Sequence, residues 1–365
     1  MLFLPGLELS RRFYWEAVRP LLDEHFPSLP HAAALIGPGS DVLGFDTAMS
    51  MDHDWFPRAQ LFLRDEEAAS GEPVMEMLRR HLPHVFLGFP VDASPVSEED
   101  GTASMLPKAD GPVNHRVLAV TLRDYIRRAL DWNLDGSLEA ADWLTFPSQE
   151  LRSLTAGAVH HDGVGALTAL RQRLAWYPRD VWLYLLASGW QRLAEEEHLM
   201  PRAGYAGDEL GSSLIGSRLA RDIMSLGFLM ERQYAPYPKW LGTAFMQLRC
   251  AAGLAPLLWD AVRAETWQAR EAALCAAYEA LAHMHNALAL TSPLPEQVSS
   301  FFDRPFQVIH AGDFAEALRS KISDPVVQRI AARDLVGSID QFSDNTKLRG
   351  NPHWRSRIRR LYEEE

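Results

Sequence analysis

Two hydrophobic periods run along this chain, and the change from one to the other divides it. In the first part, short apolar runs stand between turn-rich stretches. Ala32-Ala33-Ala34-Leu35-Ile36 is one and Ala59 to Leu63 another. Runs of this length bounded by Gly, Pro and Ser predict buried strands. Residues 84–89 and 115–121 read as two more. Helical spacing interleaves with them: Phe13, Trp15, Val18, Leu21 and Leu22 predict a helix over 10–25, and Val74, Met75, Met77 and Leu78 another over 72–82. A further helix begins at 122–130. Residues 91–112, rich in Ser, Asp, Glu, Gly and Pro, predict a surface loop or flap longer than compact domains usually carry. The order predicts a small mixed sheet with helices on one side.

From about Pro147 the period becomes helical. Long apolar periodicity covers 180–198, 207–232, 240–252 and 266–290, with Glu195, Glu196, Glu197, Arg218, Arg221 and Asp222 on the intervening positions expected of solvated faces. Arg218 and Asp222, one turn apart, predict a surface pair. Four long helices with short connections predict a bundle. The expected fold class is therefore α+β, with a small mixed-sheet domain over 1–146 and an all-α helical bundle over 147–365.

Composition narrows the function classes. With 365 residues, 47% hydrophobic and 23% charged, the chain is an ordinary globular protein long enough for two domains. A net charge of −12 disfavours general nucleic-acid binding, which needs Lys and Arg against phosphates. Cys250 and Cys275 are the only cysteines, so neither a disulfide framework nor a thiolate metal site is expected. No segment is apolar for the length of a membrane helix, and the start MLFLPGLELSRRF has no basic leader, which makes a cytoplasmic location the expectation.

The candidate chemistry lies between the first two strands, in GPGSDVLGFDTAMSMDHDWFPRAQLFL. Gly39-Ser40 closes the first strand, and Asp52 and Asp54 stand just ahead of the second. In extended backbone, alternate residues share a face, so the two carboxylates would converge. Such a pair beside a Gly-Ser turn suits Mg2+, or Mn2+, held against a triphosphate, since hard cations take one or two carboxylates and complete their shell with phosphate oxygens and water. Pro57 removes a ladder donor, so the strand is expected to begin only at Arg58, with the aspartates on the loop before it.

Strand, Gly-Ser, spacer, Asp-x-Asp, strand resembles the signature of the DNA polymerase β-like nucleotidyltransferases. The wording ALIGPGSDVLGFD and DHDWFPRAQLFL, with FDRPFQVIHAGDFAEAL and GSIDQF further on, is similar to an uncharacterised bacterial domain-of-unknown-function family of that superfamily. A sheet followed by a bundle resembles the layout of aminoglycoside nucleotidyltransferases, with the active site between the two parts. The resemblance implies transfer of a nucleoside monophosphate from a nucleoside triphosphate, with ATP the expected nucleotide, to a hydroxyl or similar acceptor. Gly39 and Ser40 would grip phosphates, and Asp52 and Asp54 would bind catalytic metal. This sequence departs from the pattern in having Pro38 and His53 at usually apolar places. It also lacks the third acid implied on a later strand: residues 114–120 carry none, and Asp110 and Asp124 only bracket them.

Pro236 and Pro238 bracket Tyr237, so Lys239 falls at an expected helix start, where free backbone N–H groups and a lysine make a phosphate site. A lysine from the helical part reaches the triphosphate in the antibiotic-modifying enzymes, and Lys239 resembles it in context. Trp55, Phe56, Tyr234, Tyr237 and Trp240 flank these motifs and suit a small organic acceptor over nucleic acid. The other class open to the chain is a catalytically weak nucleotide-binding sensor, or a toxin–antitoxin partner, on the same fold. His160-His161-Asp162-Gly163 holds the His-Asp dipeptide of helical metal phosphohydrolases, but the glycines predict a turn there. His283 and His285 sit at i, i+2 of a helix and share no face. Arg304 to His310 weakly resembles an element of helical ribonucleases, which Pro305 interrupts.

Overall fold

A computed structural model describes residues 2–99 and 101–363. The chain divides into two compact units. One holds residues 1–136 and 150–175, and the other holds 137–149 and 176–365. The sequence places a single boundary at 146/147, whereas the chain returns to the first unit after contributing 137–149 to the second.

The first unit is built on a four-stranded mixed sheet. Its strands are β1 (His31–Leu35), β2 (Arg58–Leu63), β3 (Arg116–Thr121) and β4 (Ala158–Asp162), in the order β3-β2-β1-β4. β1 runs antiparallel to β2 and β4, while β2 and β3 are parallel with Arg58 opposite Arg116. The apolar runs at 32–36 and 59–63 therefore mark real central strands, and β2 starts at Arg58, directly after Pro57, as the missing donor dictates. Residues 84–89 do not join the sheet. Leu87 and Gly88 take positive φ, which closes a two-residue hairpin between Val85–Phe86 and Phe89–Pro90. The fourth strand is instead β4, on the stretch where the glycines read as a turn. His160, His161 and Asp162 are strand residues, so the helical phosphohydrolase reading fails.

Helices cover both faces of the sheet rather than the single face expected. The first helical path runs from Gly6–Phe13 through a π turn at Tyr14–Val18 to Arg19–His25. Pro20 explains the π turn, since its ring lacks an N–H and crowds the carbonyl four residues back. Leu9, Phe13 and Val18 of this path and Val74 and Leu78 of helix α1 (Gly71–His81) pack on Ala33, Leu61, Val117 and Ala119. On the opposite face, Tyr125 of α2 (Leu122–Leu130) sits edge-on to Phe62 with ring centroids 5.1 Å apart. Among its described residues the 91–112 segment is a loop, as expected, with one bridge between Ala93 and Met105.

The second unit is helical among its described residues apart from one two-stranded ladder, Ser299–Ser300 with Gln307–Val308. Its longest helices are α3 (Arg179–Glu196), α4 (Glu209–Met230), α5 (Ala251–Arg263) and α6 (Trp267–Ala287), followed by α7 (Ala311–Arg319). The helix expected over 240–252 is broken into Pro238–Trp240 and Leu241–Phe245, and the long helix starts only at Ala251. Trp190 of α3 stacks on Phe314 of α7 at 4.2 Å. Arg218 and Asp222 are not a pair. Arg218 reaches Glu196 at 2.6 Å and Asp222 reaches Arg192 at 3.1 Å, so both ties cross from α4 to α3. Buried Asp142 explains why 137–149 belongs here: it is held by Arg355 and Arg359 from the C-terminal helix. Cys250 and Cys275 are free, half-buried thiols that burial pushes up to about 12.

Glu197, just beyond α3, is only 5% exposed, and its carboxylate accepts from the backbone N–H of Ile309 at 2.8 Å and of Ala311 at 3.0 Å. Burial pushes its pKa up to about 7, against the pull of those two donors. With the folded value above the unfolded one, the stability this group contributes is fully present below about pH 4 and is lost as pH rises toward 7. The difference is on the order of 3 kcal/mol. Thermal melting from pH 5 to pH 8 should show the parent losing stability relative to Glu197→Gln over that window. Parallel pH profiles for the two proteins would contradict it.

Candidate functional site

The Gly37–Ser40 turn is fixed from three sides. Ile36 is clasped by the buried amide of Gln60 on β2: its N–H donates to Oε1 at 3.1 Å and its carbonyl accepts from Nε2 at 3.0 Å. Gly37 donates its N–H to the carbonyl of Ser153 at 2.9 Å. Asp41, 2% exposed, takes both ends of the Arg58 guanidinium, with Nη2 at 2.8 Å from Oδ1 and Nε at 3.2 Å from Oδ2. This is a bidentate pair, its aspartate buried and its arginine mostly so. It also dictates the glycine above it. Gly39 has φ +146°, and a Cβ there would lie 2.2 Å from Asp41 Oδ1 and 2.7 Å from Arg58 Nη2. Gly37, at φ +94°, leaves room for the Tyr125 hydroxyl, which would otherwise lie 2.5 Å from a Cβ. Burial pushes the Tyr125 phenol up to about 12, so it is neutral in the physiological range.

The aspartate pair follows on a loop, not in a strand. Ala48–Asp52 is a 3-10 turn, His53 is extended and Asp54 is left-handed at φ 51°. Strand alternation therefore does not govern these two side chains. Local ties hold them instead. Asp54 exchanges bonds with Ala103, its N–H donating to the carbonyl at 2.8 Å and its Oδ1 accepting the Ala103 N–H at 3.1 Å. Ser104 Oγ donates to the Asp52 carbonyl at 3.0 Å. Asp52 Oδ1 faces its neighbour His53, with Nδ1 at 3.0 Å. The long 91–112 segment thus works as a strap that sets the Asp52–Asp54 loop. Asp46 anchors the same loop from the other end, accepting the Gly6 N–H at 2.7 Å and the Trp55 Nε1–H at 3.0 Å. Ser40 Oγ lies 3.5 Å from Ser50 Oγ, which ties the turn to the 3-10 segment ahead of Asp52.

The two exposed carboxylates each keep one oxygen, Oδ2, without a hydrogen bond among the described residues. No group of three or more His, Cys, Asp or Glu able to hold a metal exists among those residues. The donor set is thus no protein-only cage. Two exposed carboxylates are donors of the kind that a hydrated magnesium ion shared with phosphate oxygens takes, one or two per ion. Neither bracketing acid supplies a third ligand from β3: Asp124 caps α2 through Thr121, and Asp110 is an exposed loop residue. The side chain on β3 opposite Arg58 is Arg116.

Lys239 belongs to the second unit. It is exposed, with Nζ 5.0 Å from the ring centroid of Trp240, on a three-residue 3-10 turn before a five-residue helix. The expected long helix start is not formed there. Trp55 and Phe56 are 2% and 3% exposed, and Tyr234 packs on Trp176 at 4.9 Å, so these rings are core and offer no acceptor platform. His285 is buried against Thr291 and held down to about 4 by burial, and His310 bonds Ser299, so both are structural. Sequence reasoning missed Asp41, Arg58, Gln60 and Tyr125. The alternation of Arg58 and Gln60 in an otherwise apolar β2 was the available signal.

A family model described as a domain of unknown function, DUF4037, matches residues 143–241, a stretch that does not include Gly39, Ser40, Asp52 or Asp54. No curated protein matches the chain. One similar solved structure is a nucleotidyltransferase-like protein from Exiguobacterium sibiricum 255-15. It is 11% identical, with 86% of this chain and 91% of that chain covered and a TM-score of 0.33, a likeness too distant to carry a fold or a function. No helix among the described residues is long and apolar enough to cross a membrane.

Asp41→Asn should cost about 3 kcal/mol or more, because it leaves Arg58 buried without its counter-charge. Gly39→Ala should also destabilise, through its strained φ and the crowding onto Asp41. Chemical denaturation checks both. A loss under 1 kcal/mol for Asp41→Asn would show that the pair does not hold the turn.

Proposed function

We propose that the first unit binds a magnesium–nucleoside triphosphate and that the protein transfers the nucleoside monophosphate to a hydroxyl or similar group on a small molecule. The observation that carries this reading is the fixed turn: Gly39 and Ser40, held over the Asp41–Arg58 pair, are followed by two exposed carboxylates strapped to residues 103 and 104. A glycine whose φ no other residue adopts easily, next to a serine hydroxyl, lets a phosphate approach the backbone closely.

Asp52 and Asp54 would hold the metal through their unengaged oxygens. Bound there, magnesium would neutralise charge across the phosphates and orient them. Gly39 and Ser40 would position the phosphates. The chain's own contribution is pre-organisation: the ties at Ile36, Gly37, Asp41, Asp46 and Asp54 fix donors and acceptors before ligand arrives, which is how positioning and electrostatics lower a barrier to phosphoryl chemistry. ATP is the expected triphosphate. Net acidity favours a small acceptor over RNA.

The pairing of Asp52 with Asp54 gives the test. Asp52→Asn with Asp54→Asn should abolish magnesium-dependent binding of ATP while leaving the melting temperature close to the parent's, since both side chains are exposed. A double variant that binds ATP and magnesium as tightly as the parent places the site elsewhere. For the acceptor, labelled triphosphate with magnesium should put label on a component of a metabolite extract. Label on bulk RNA alone would reverse the assignment.

A further inference from the structure

Arg58 and Arg116 start adjacent parallel strands in direct register, so they leave the sheet on the same face and at the same end, where β1 delivers the Gly37–Ser40 turn. Two cationic side chains at one end of one sheet face repel unless anions separate them. Arg58 has its anion in Asp41. Arg116 has none: its only described partner is the ring of Phe56, 5.2 Å from the guanidinium carbon, two residues beyond Asp54. Its Nε and Nη2 are shut off from solvent and make no hydrogen bond among the described residues. The residue as a whole is half-buried, so its side chain is not sealed off. A half-buried cation with two orphaned donors, next to a second cation already matched one-to-one, lacks one negative charge.

We infer that Arg116 is an anion-binding residue that takes a phosphate group of the ligand through its guanidinium, independently of metal. This rests on the nucleotide reading of the same site and adds to it a contact from β3. The chemistry suits the residue. A guanidinium is a delocalised cation whose planar fork of N–H donors matches phosphate oxygens. The Phe56 ring beneath it fixes the plane of that fork, as stacking of arginine on aromatics does. Phosphate at the open side of the guanidinium would supply the missing charge, whereas magnesium would serve the same ligand from the carboxylates of Asp52 and Asp54. The two terms are separable because only one of them needs metal.

Inorganic tripolyphosphate, titrated calorimetrically into the full-length protein with EDTA or with magnesium, tests this. In EDTA the parent should bind, with an affinity that falls as salt is added. Arg116→Met should lose roughly 10- to 100-fold, the loss of a charge-assisted fork. Arg116→Lys, which keeps the charge and loses the fork, should fall between them and carries the comparison if the methionine variant fails to fold. The Asp52→Asn, Asp54→Asn protein should bind metal-free tripolyphosphate at least as well as the parent, having shed two negative charges, and should lose only the gain from magnesium. Metal-free binding that is absent in the parent, or equal in the parent and both Arg116 variants, overturns the assignment. A parent that gains nothing from magnesium while Arg116→Met still loses affinity would sink the metal–nucleotide reading and leave the Arg116 contact standing.

Discussion

The first unit depends on one buried ion pair. Asp41 and Arg58 lie under the turn that ends β1, with Asp41 buried and Arg58 mostly so. Breaking such a pair is expensive because the surviving charge is stranded, so both partners must arrive together. That requirement sets the local backbone. Arg58 has to be the first residue of β2, which Pro57 arranges, and residue 39 has to lack a side chain. Gln60, two residues along β2 and so on the same face, then clasps Ile36 at the end of β1. The turn is consequently fixed against the sheet by β2 itself, and the residues that follow it inherit that rigidity.

The second unit uses the same device with different residues. Arg270, 1% exposed, spreads its guanidinium over the hydroxyls of Ser212 and Ser213 and the carbonyl of Ala264, tying α6 to α4 where Gly216 leaves space for its stem. Asp180 at the start of α3 accepts from the N–H of Ser323 at 2.7 Å and from the Ser323 hydroxyl at 2.9 Å. Glu197 at its end holds the segment that leads into α7. Each buried charge answers backbone or hydroxyl groups that would otherwise be orphaned. The apolar periodicity brings the helices together, and these polar anchors set which loop meets which helix end.

Much of this was legible in the chain. The α+β class, the central strands, the helices at 71–81 and 122–130 and the long helices at 179–196, 209–230 and 267–287 follow from apolar spacing, which responds to burial and little else. Pro57 located the start of β2 correctly. What spacing does not carry is which residues meet across distance. The edge strand at 158–162 is only half buried along its length and ends in His, His and Asp, so it has no apolar run to announce it. The pairing of Asp41 with Arg58 spans 17 positions, and that of Asp142 with Arg355 spans 213. Strand alternation does not set Asp52 and Asp54: a 3-10 turn and a left-handed residue precede Pro57, and the strap from 103–104 holds the loop.

The proposed function stands or falls on whether the fixed turn and the carboxylates beside it bind a metal–triphosphate. Thermal-shift measurement on the unaltered protein with each nucleoside triphosphate, with and without magnesium, tests it most directly, because a ligand that binds only the folded state raises its stability by mass action. At a ligand concentration about 100 times its dissociation constant, the gain is about 2.7 kcal/mol. The expected result is a clear rise in melting temperature for at least one triphosphate, largest with ATP, that needs magnesium to reach its full size. No shift with any triphosphate in either condition would contradict it.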